Sequence, residues 1–393
     1  MGPSREDVPA SRLFTRAFVV LGAAELAYFT AQGMLIAITP RFAAGPLGAD
    51  ELGVGVTIGA FALTALLLRP IAGRSADRRG RRALLIGGAL LSSITIAAHA
   101  AVPNLEALIG LRLMLGVAEA FFFVAGFAMV ADLAPPGRAG EALSYNSLAL
   151  YLGIAFGPGA GELLLQTGGF TLAWMGGAGL ALAATVLAAA LPETALRSSE
   201  SGPLVLIHRG ALLPSVGLFT GVAAMAGFLG FVPLYTDDTL AIGGSGPVLL
   251  LFGVVVVVTR VVFAKLPDRV PGFSLASAAL ALIAAGLGTM WLIPTVPGLY
   301  VGATLTAVGV AFTTPAFFAA IIQRVAPSER GVALGTTSLF IDLAFGAGPV
   351  LTGLVAGFAG YAGAFAAVGL IALVGSLGTS YAALRSRRGG ALG

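Results

Sequence analysis

The sequence contains no cysteine, only one lysine and few charged residues of any kind. The lack of cysteine excludes disulfide bonds and thiolate metal sites. The one lysine, Lys265, does not belong to a Gly-x-x-x-x-Gly-Lys-Ser/Thr loop, which excludes ATP-driven pumping through such a loop. Only 10% of the residues are charged, whereas 58% are hydrophobic. This balance leaves too little polar surface for a soluble globular protein and predicts an integral membrane protein.

Apolar runs of membrane-spanning length occur twelve times along the chain, and a helix needs about 20 apolar residues to cross the hydrocarbon core. They cover residues 17–39, 53–72, 83–101, 106–131, 142–165, 170–191, 211–235, 246–263, 273–292, 299–325, 332–358 and 362–384. The sequence therefore predicts an all-α membrane protein with twelve transmembrane helices. The first run has no small-residue cleavage site after it, so we expect a retained helix and not a signal peptide.

Basic residues are distributed unevenly between alternate loops. If both termini are cytoplasmic, 18 of the 22 lysine and arginine residues lie in inner segments, and Arg41 alone lies in an outer loop. This asymmetry follows the positive-inside rule, so the positive charge reflects topology and lipid contact and does not predict nucleic-acid binding. The predicted order is a cytoplasmic segment, a six-helix bundle, a cytoplasmic linker, a second six-helix bundle and a cytoplasmic tail, at residues 1–16, 17–191, 192–209, 210–384 and 385–393.

The two halves of the chain repeat one pattern at a nearly constant offset. Arg69 precedes Asp77 by eight positions, and Arg260 precedes Asp268 by the same eight. The offset of 191 positions (260 minus 69) also separates Gly157-Pro158 from a second Gly-Pro pair. Such agreement predicts two homologous halves of six helices each.

The loop after the second predicted helix has a glycine, an aspartate four positions later and basic residues around a second glycine. Its members are Gly73, Asp77, Arg78, Gly80, Arg81 and Arg82. On this motif the chain resembles the major facilitator superfamily over essentially its whole length. The resemblance implies two pseudo-symmetric six-helix bundles around a central cavity that opens alternately to each side. The second copy of the motif is degraded, with Ala264 in place of the first glycine, and retains Arg260, Asp268 and Arg269.

The resemblance also implies a role for this loop, which we call the latch motif. Asp77 is expected to face the N-terminus of the eleventh helix near Val332, where the helix dipole favours negative charge. Arg81 is expected to pair with Asp132 at the inner end of the fourth helix. Together these contacts are expected to hold the two bundles together on the cytoplasmic side in the outward-open state. The alternative is that the basic residues only set the topology.

The fifth predicted helix carries Gly-x-x-x-Gly-Pro-x-x-Gly, formed by Gly153, Gly157, Pro158 and Gly161. This resembles the signature of proton-coupled antiporters in the same superfamily and favours export over import. The alternative is helix packing, because small residues four apart let helices approach closely. A weaker resemblance, Arg-Leu-Met-Leu-Gly from Arg112, lies in the fourth helix. Within the superfamily the chain is most similar to bacterial twelve-span drug and metabolite exporters, of the arabinose-efflux-like permease branch.

Ionisable side chains within the predicted spans are costly to insert, and each is a candidate for function. Glu25 lies eight residues into the first helix, and Tyr28 and Gln32 follow on roughly the same face. Arg112 and Glu119, seven apart, share a face of the fourth helix. The resemblance places these helices around the cavity, so the five residues are expected to form a polar wall for protons and substrate. The alternative is a structural pair that locks the N-terminal bundle.

Three acids complete the candidates. Asp342 lies near the middle of the eleventh helix, and its counterpart in the first half is Tyr151. We expect it to be either a second protonation site or an acid bonded to neighbouring backbone. Glu162, near the outer end of the fifth helix, is expected to reach the aqueous surface. Asp237 lies in an outer loop and does not belong to a recognisable metal motif.

The sequence thus predicts a multi-pass transporter of the cell membrane, a proton-coupled antiporter that exports an amphipathic or cationic small molecule. The alternatives are an exporter of one metabolite or metallophore, and a passive or import carrier of the same fold. A membrane enzyme or a receptor is remote, because the sequence has no nucleophile constellation and no soluble domain. We predict a monomer in the bilayer, with protons and a small molecule as partners, and without cofactor or metal.

Overall fold

The computed structural model describes residues 13–135, 138–194, 207–326 and 329–389. The described residues are 88% helical and contain no strand. Most of the predicted N-terminal segment and linker, and the last four residues of the tail, fall outside these ranges. The prediction of an all-α protein is confirmed.

The first half of the chain forms six helical segments. They are α1 (Arg16–Ala44), α2 (Glu51–Arg79), α3 (Arg81–Ala98), α4 (Leu105–Leu133), and α5 and α6, which together make up the continuous helix Ala139–Ala189. The last two separate at Gly168 and Gly169, where non-helical backbone angles divide residues 139–167 (α5) from 170–189 (α6). Gly169 has a φ of 72°, a conformation that a residue with a side chain rarely adopts.

The second half repeats this order. Its segments are α7 (Arg209–Leu234), α8 (Gly246–Val262), α9 (Gly272–Leu292), α10 (Val296–Ile322), and α11 and α12 within the helix Arg330–Gly389. Gly360 has a φ of 67° and divides residues 330–359 (α11) from 361–389 (α12). A π-helical turn, Tyr235–Thr239, extends α7, and a one-turn helix, Leu266–Arg269, follows α8.

Side-chain caps fix where several of these apolar helices begin. Thr15, Asp50, Asn104 and Thr295 each accept a hydrogen bond from the backbone N–H three positions later. Such a bond satisfies one of the four N–H groups that every helix leaves without a partner at its start. The helix starts therefore follow from local polar residues, and the helix interiors are left to apolar packing.

Nine helices of the described part are long and apolar enough to cross a membrane, and Gly246–Val262 is a shorter apolar helix. Two of the nine are the broken helices that contain α5 with α6 and α11 with α12. Many large apolar side chains remain exposed, among them Phe358 and Leu292, which suits lipid contact and not water. The protein is a multi-pass membrane protein.

Two seams join the halves, one between α2 and α11 and one between α5 and α8. The offset of 191 maps α2 onto α8 and α5 onto α11, so the seams are related by the internal repeat. Glycines allow close approach in both: a side chain on Gly55 would meet the Val350 Cα at 3.2 Å, and one on Gly246 would meet the Gly159 Cα at 3.3 Å. The repeat read from the sequence therefore appears in three dimensions as a two-fold interface.

Candidate functional site

Tyr28 and Glu119 meet in the interior of the first half. The Tyr28 hydroxyl donates to the Glu119 carboxylate at 3.1 Å, and the Tyr28 ring stacks on Phe122 at 3.8 Å between centroids. Gln32 lies one turn further along α1 and donates to Ser92 of α3 at 2.9 Å. The structure thus brings α1, α3 and α4 together around one polar cluster in an aromatic and aliphatic surrounding.

Glu25 lies apart from that cluster, between α1, α4 and α5. It is 2% exposed and is hydrogen-bonded to Asn146 of α5. A side chain at Gly126 would come within 2.6 Å of its carboxylate, so this glycine makes room for the acid. Its second oxygen, Oε2, has no hydrogen-bond partner in the described part of the chain. A buried carboxyl group in this state is able to take up a proton or a cation without breaking an existing bond.

Arg112 does not join the predicted polar wall. Its guanidinium donates to the backbone carbonyls of Thr57 and Ile58 in α2, both at 3.1 Å, and lies over the Phe61 ring. These contacts tie α4 to α2 within the first half. The arrangement favours the structural alternative for Arg112, although the partner is backbone and not Glu119.

Two arginine contacts cross between the halves at the middle of the seams. Arg69 of α2 forms a bidentate ion pair with Asp342 of α11, and Arg260 of α8 donates to the Tyr151 hydroxyl of α5 at 2.6 Å. Arg260 also lies 4.1 Å from the centre of the Tyr151 ring. The offset of 191 relates Arg69 to Arg260 and Tyr151 to Asp342, so the two contacts are copies of each other with one partner changed.

A second ionic cluster joins the halves at one end of the molecule, which we call the Arg41 face. Arg41 at the end of α1 binds Glu162 of α5 at 2.7 Å and Asp237 of the α7 extension at 2.6 Å. Glu162 also accepts from the backbone N–H groups of Ser245 and Gly246, each at 2.7 Å, and so caps α8. The expectation that Glu162 reaches the aqueous surface is wrong, because its side chain is only 8% exposed and is held by these three groups.

The latch motif lies at the opposite end, the Asp77 face. Arg81 forms an ion pair with Asp132, as predicted, and lies 3.8 Å from Asp77. The Asp77 side chain is half exposed, and its expected contact with the eleventh helix stays a prediction. Gly80 has a φ of 96° and lets the chain turn directly from α2 into α3. Glu193, beyond α6, accepts from the Arg81 N–H at 2.8 Å and caps α3.

Other members of the motifs have simpler surroundings. Arg78 and Arg269 are exposed, and a side chain at Gly73 would meet no atom within 4 Å. Asp268 lies in the one-turn helix, and its side chain is outside the described part of the structure.

The antiporter-type stretch packs on α1. Side chains on Gly153, Gly157 and Gly161 would meet backbone atoms of Phe29, Gly33 and Met34 at 2.5–3.0 Å. Pro158 lies inside the same helix. Packing alone therefore accounts for the three glycines.

Comparison with known sequences gives one consistent result. The sequence model of the family described as Major Facilitator Superfamily matches residues 21–298. An uncharacterized MFS-type transporter of Salmonella typhimurium is 30% identical over 355 residues, covering 87% of this chain and 89% of the relative. Another, of Burkholderia mallei, is 29% identical and covers 90% of this chain and 89% of its own length.

Solved structures share the fold at low sequence identity. A bacterial homologue of the human lysosomal transporter Spinster, in an inward-facing and unoccupied conformation, matches with a TM-score of 0.77 at 13% identity, over 92% of this chain and 95% of that one. The human organic anion transporter MFSD10 matches with a TM-score of 0.71 at 18% identity, over 93% of this chain and 99% of that one. At these identities the likeness concerns the fold.

Proposed function

The chain belongs to the major facilitator superfamily of membrane transporters, and we propose that it is a proton-coupled antiporter that exports an amphipathic or cationic small molecule. The observation that carries the proposal is the pair of acids Glu25 and Glu119 inside the first half. Carboxyl groups at this depth cost free energy on insertion and are retained where they bind protons or cations. A group that exchanges a proton for a cation is what antiport requires.

We place the Asp77 face in the cytoplasm, because the basic residues of the loops concentrate there. The two glycine breaks then divide the helices Ala139–Ala189 and Arg330–Gly389 into two crossings each, which gives twelve spans with both termini inside. The protein is proposed to work as a monomer in the plasma or inner membrane. The latch motif is proposed to close the cytoplasmic side once the molecule opens outward.

Alternating access follows from the contacts between the halves. The Arg41 cluster joins them on the proposed outer side, whereas the Asp77 side chain on the opposite side is half exposed. This arrangement corresponds to a conformation loaded from the cytoplasm. Export then requires the Arg41 cluster to separate and the Asp77 contacts to form.

The acids determine the substrate class that we favour. Glu119 receives the Tyr28 hydroxyl, and Glu25 keeps one free oxygen, so both are able to accept an ammonium group beside aromatic rings. A second candidate is an anionic metabolite or metallophore. It is favoured by Arg260, which contacts Tyr151 and has no carboxylate partner among the described side chains.

The test uses purified protein in liposomes with a lipophilic cationic dye and an imposed pH gradient. We expect gradient-dependent dye movement in the native chain and loss of it in Glu25→Gln and Glu119→Gln. Glu106→Gln is the matched control, because Glu106 is an exposed acid at the start of the same helix as Glu119. Gradient-independent exchange indicates a passive carrier. Absence of dye movement in folded native protein refutes the cationic substrate and directs the search to anions.

A further inference from the structure

The contacts of Arg69 and Arg260 occupy equivalent places in the two seams but differ in chemistry. We propose that Arg69 is a positioning residue shared by two acids, Asp342 across the seam and Glu119 in its own half. When Asp342 takes up a proton, the Arg69 guanidinium moves from Asp342 to Glu119. The inference rests on the proposed antiport, because it assigns the proton to a particular contact. Arg69 thus couples proton binding at Asp342 to the contact between the two halves.

The Arg69 contact stands at the end of the closed part of its seam. From the Arg41 face inward, α2 and α11 meet at Gly55 with Pro349, then at Gly59 with Gly346, and then at Arg69 with Asp342. Further along α2 toward the Asp77 face, the Asp77 side chain is half exposed. The ion pair is therefore placed where the two halves begin to part.

The pair is largely removed from solvent. The Asp342 side chain is 6% exposed and that of Arg69 14%, and the guanidinium lies 4.8 Å from the centre of the Phe123 ring. In such surroundings the loss of one charge leaves the other without compensation, and the remaining charge must find a new partner. Neutralising Asp342 thus weakens the α2–α11 seam and leaves Arg69 in need of another carboxylate partner.

Glu119 provides that carboxylate. It lies on α4 four residues before Phe123, whose ring is 4.8 Å from the Arg69 guanidinium, and therefore on the same face of that helix. It interacts electrostatically with both Arg69 and Asp342. Its carboxylate also accepts the Tyr28 hydroxyl and is influenced by Arg112, which is held by the carbonyls of α2. These are the charged and titratable groups that face the pair from α1, α2 and α4. The α7 helix, which also packs on α11, carries no ionisable side chain beyond Arg209 at its first position.

The sequence of events involves one proton and no covalent step. With Asp342 ionised, Arg69 joins α2 to α11 and the Arg41 face stays closed. When a proton binds the Asp342 carboxylate, its ion pair with Arg69 breaks, and Arg69 pairs with Glu119 inside the first half. The α2–α11 seam then has no ionic bond at its centre and is free to open.

The α5–α8 seam does not respond to protonation in this way. Tyr151 replaces the acid, so the contact with Arg260 consists of a hydrogen bond and a cation–π contact and contains no carboxylate. Arg260 therefore keeps its contact with Tyr151 whether the medium is acidic or neutral. The proton therefore weakens only the α2–α11 seam, and the α5–α8 seam serves as an internal control.

The absence of cysteine makes a direct test possible. Ala101→Cys and Leu292→Cys place spin labels at exposed positions of the Arg41 face, one in each half, and pulsed electron resonance measures the distance between them. In the native background we expect acidification to increase the fraction of molecules with a long distance. In Asp342→Asn this fraction should be high and independent of pH, and Arg69→Gln should behave alike. Tyr151→Phe is the matched control and should keep the native pH response.

Retention of the native pH response by Asp342→Asn overturns the inference, as does a native protein whose distance does not depend on pH. Arg69→Gln gives a second route if Asp342→Asn fails to fold. Gradient-driven transport is measured on the native protein in parallel. If the native protein shows gradient-driven transport and Asp342→Asn keeps the native pH response of the distance, the switch is rejected and the antiporter is supported. The opposite outcome is a spin-label distance that depends on pH in the native protein but not in Asp342→Asn, together with no gradient-driven transport by the native protein. This outcome supports the switch and rejects the antiporter.

Discussion

Glu162→Gln should open the Arg41 face. The native carboxylate accepts two backbone N–H groups of α8, the Ser245 hydroxyl and the Arg41 guanidinium, all at 2.5–2.7 Å. The amide keeps the size of the side chain but removes its charge and turns an NH₂ group toward donors. All these bonds except that with Arg41 cross between the halves, so they stabilise the closed face in particular.

The size of the effect can be worked from these bonds. A hydrogen bond to a charged group contributes about 1.5–3 kcal/mol and a neutral one about 0.5–1.5 kcal/mol, so each converted bond loses roughly 1 kcal/mol. The three bonds that cross between the halves, two from backbone N–H groups and one from the Ser245 hydroxyl, together give a loss of about 3 kcal/mol. Since every 1.4 kcal/mol is tenfold in an equilibrium constant, the open population should rise by about a hundredfold.

The assay uses an added thiol as a reporter. Ala62→Cys lies between α2 and α11 beside Gly346 and is 1% exposed, so a membrane-impermeant maleimide reaches it only when the Arg41 face opens. Labelling in intact cells should be much faster in the Glu162→Gln background. Glu106→Gln, an exposed acid, should leave the rate unchanged. Equal labelling rates with and without Glu162→Gln, in protein that is folded, would show that the cluster does not hold the face closed.

Three other substitutions test single contacts. Gly157→Ala should lower thermal stability in detergent, because its methyl group meets Gly33 at 2.6 Å. Gly159→Ala has open space around the new methyl group and should not lower it. Equal melting temperatures for the two variants would contradict the packing. Arg112→Ala should lower the melting temperature and the yield of folded protein, because it removes two hydrogen bonds from a charged donor to α2 carbonyls, at about 1.5–3 kcal/mol each. Asp77→Asn should slow transport in liposomes without changing the melting temperature, and undiminished turnover would remove Asp77 from the latch.

Much of the fold was predictable because the signals are local. The helices follow from apolar length, and their starts at Asp50 and Asn104 follow from capping side chains. The repeat gave the correspondence of the halves from residue spacing alone. The pair of Arg81 with Asp132 was predicted from a resemblance, since its members are distant in sequence.

The contacts between the halves were not predictable in the same way. Arg41 and Glu162 looked like isolated charges near an aqueous surface, and only the folded chain brings them to the start of α8. The offset already related Arg69 to Arg260 and Tyr151 to Asp342, but hydrophobic periodicity does not tell which helices meet across a seam. A repeat identifies equivalent positions, whereas contact depends on how the two copies dock.

The two seams carry their charges at different depths, and this difference decides what can open each of them. At the Arg41 face the α5–α8 seam has the carboxylate of Glu162, whose counterpart in the α2–α11 seam is Gly353, packed on the backbone of Glu51. At the centre the α2–α11 seam has Asp342, whose counterpart is Tyr151. Each seam therefore has one carboxylate at a position where the other seam has a neutral residue. A proton at Asp342 releases the centre of one seam while the other stays attached there, and separation of the Arg41 face then requires Glu162 to leave α8. Duplication supplied a symmetric hinge, and single substitutions in each copy made its two sides respond to different events.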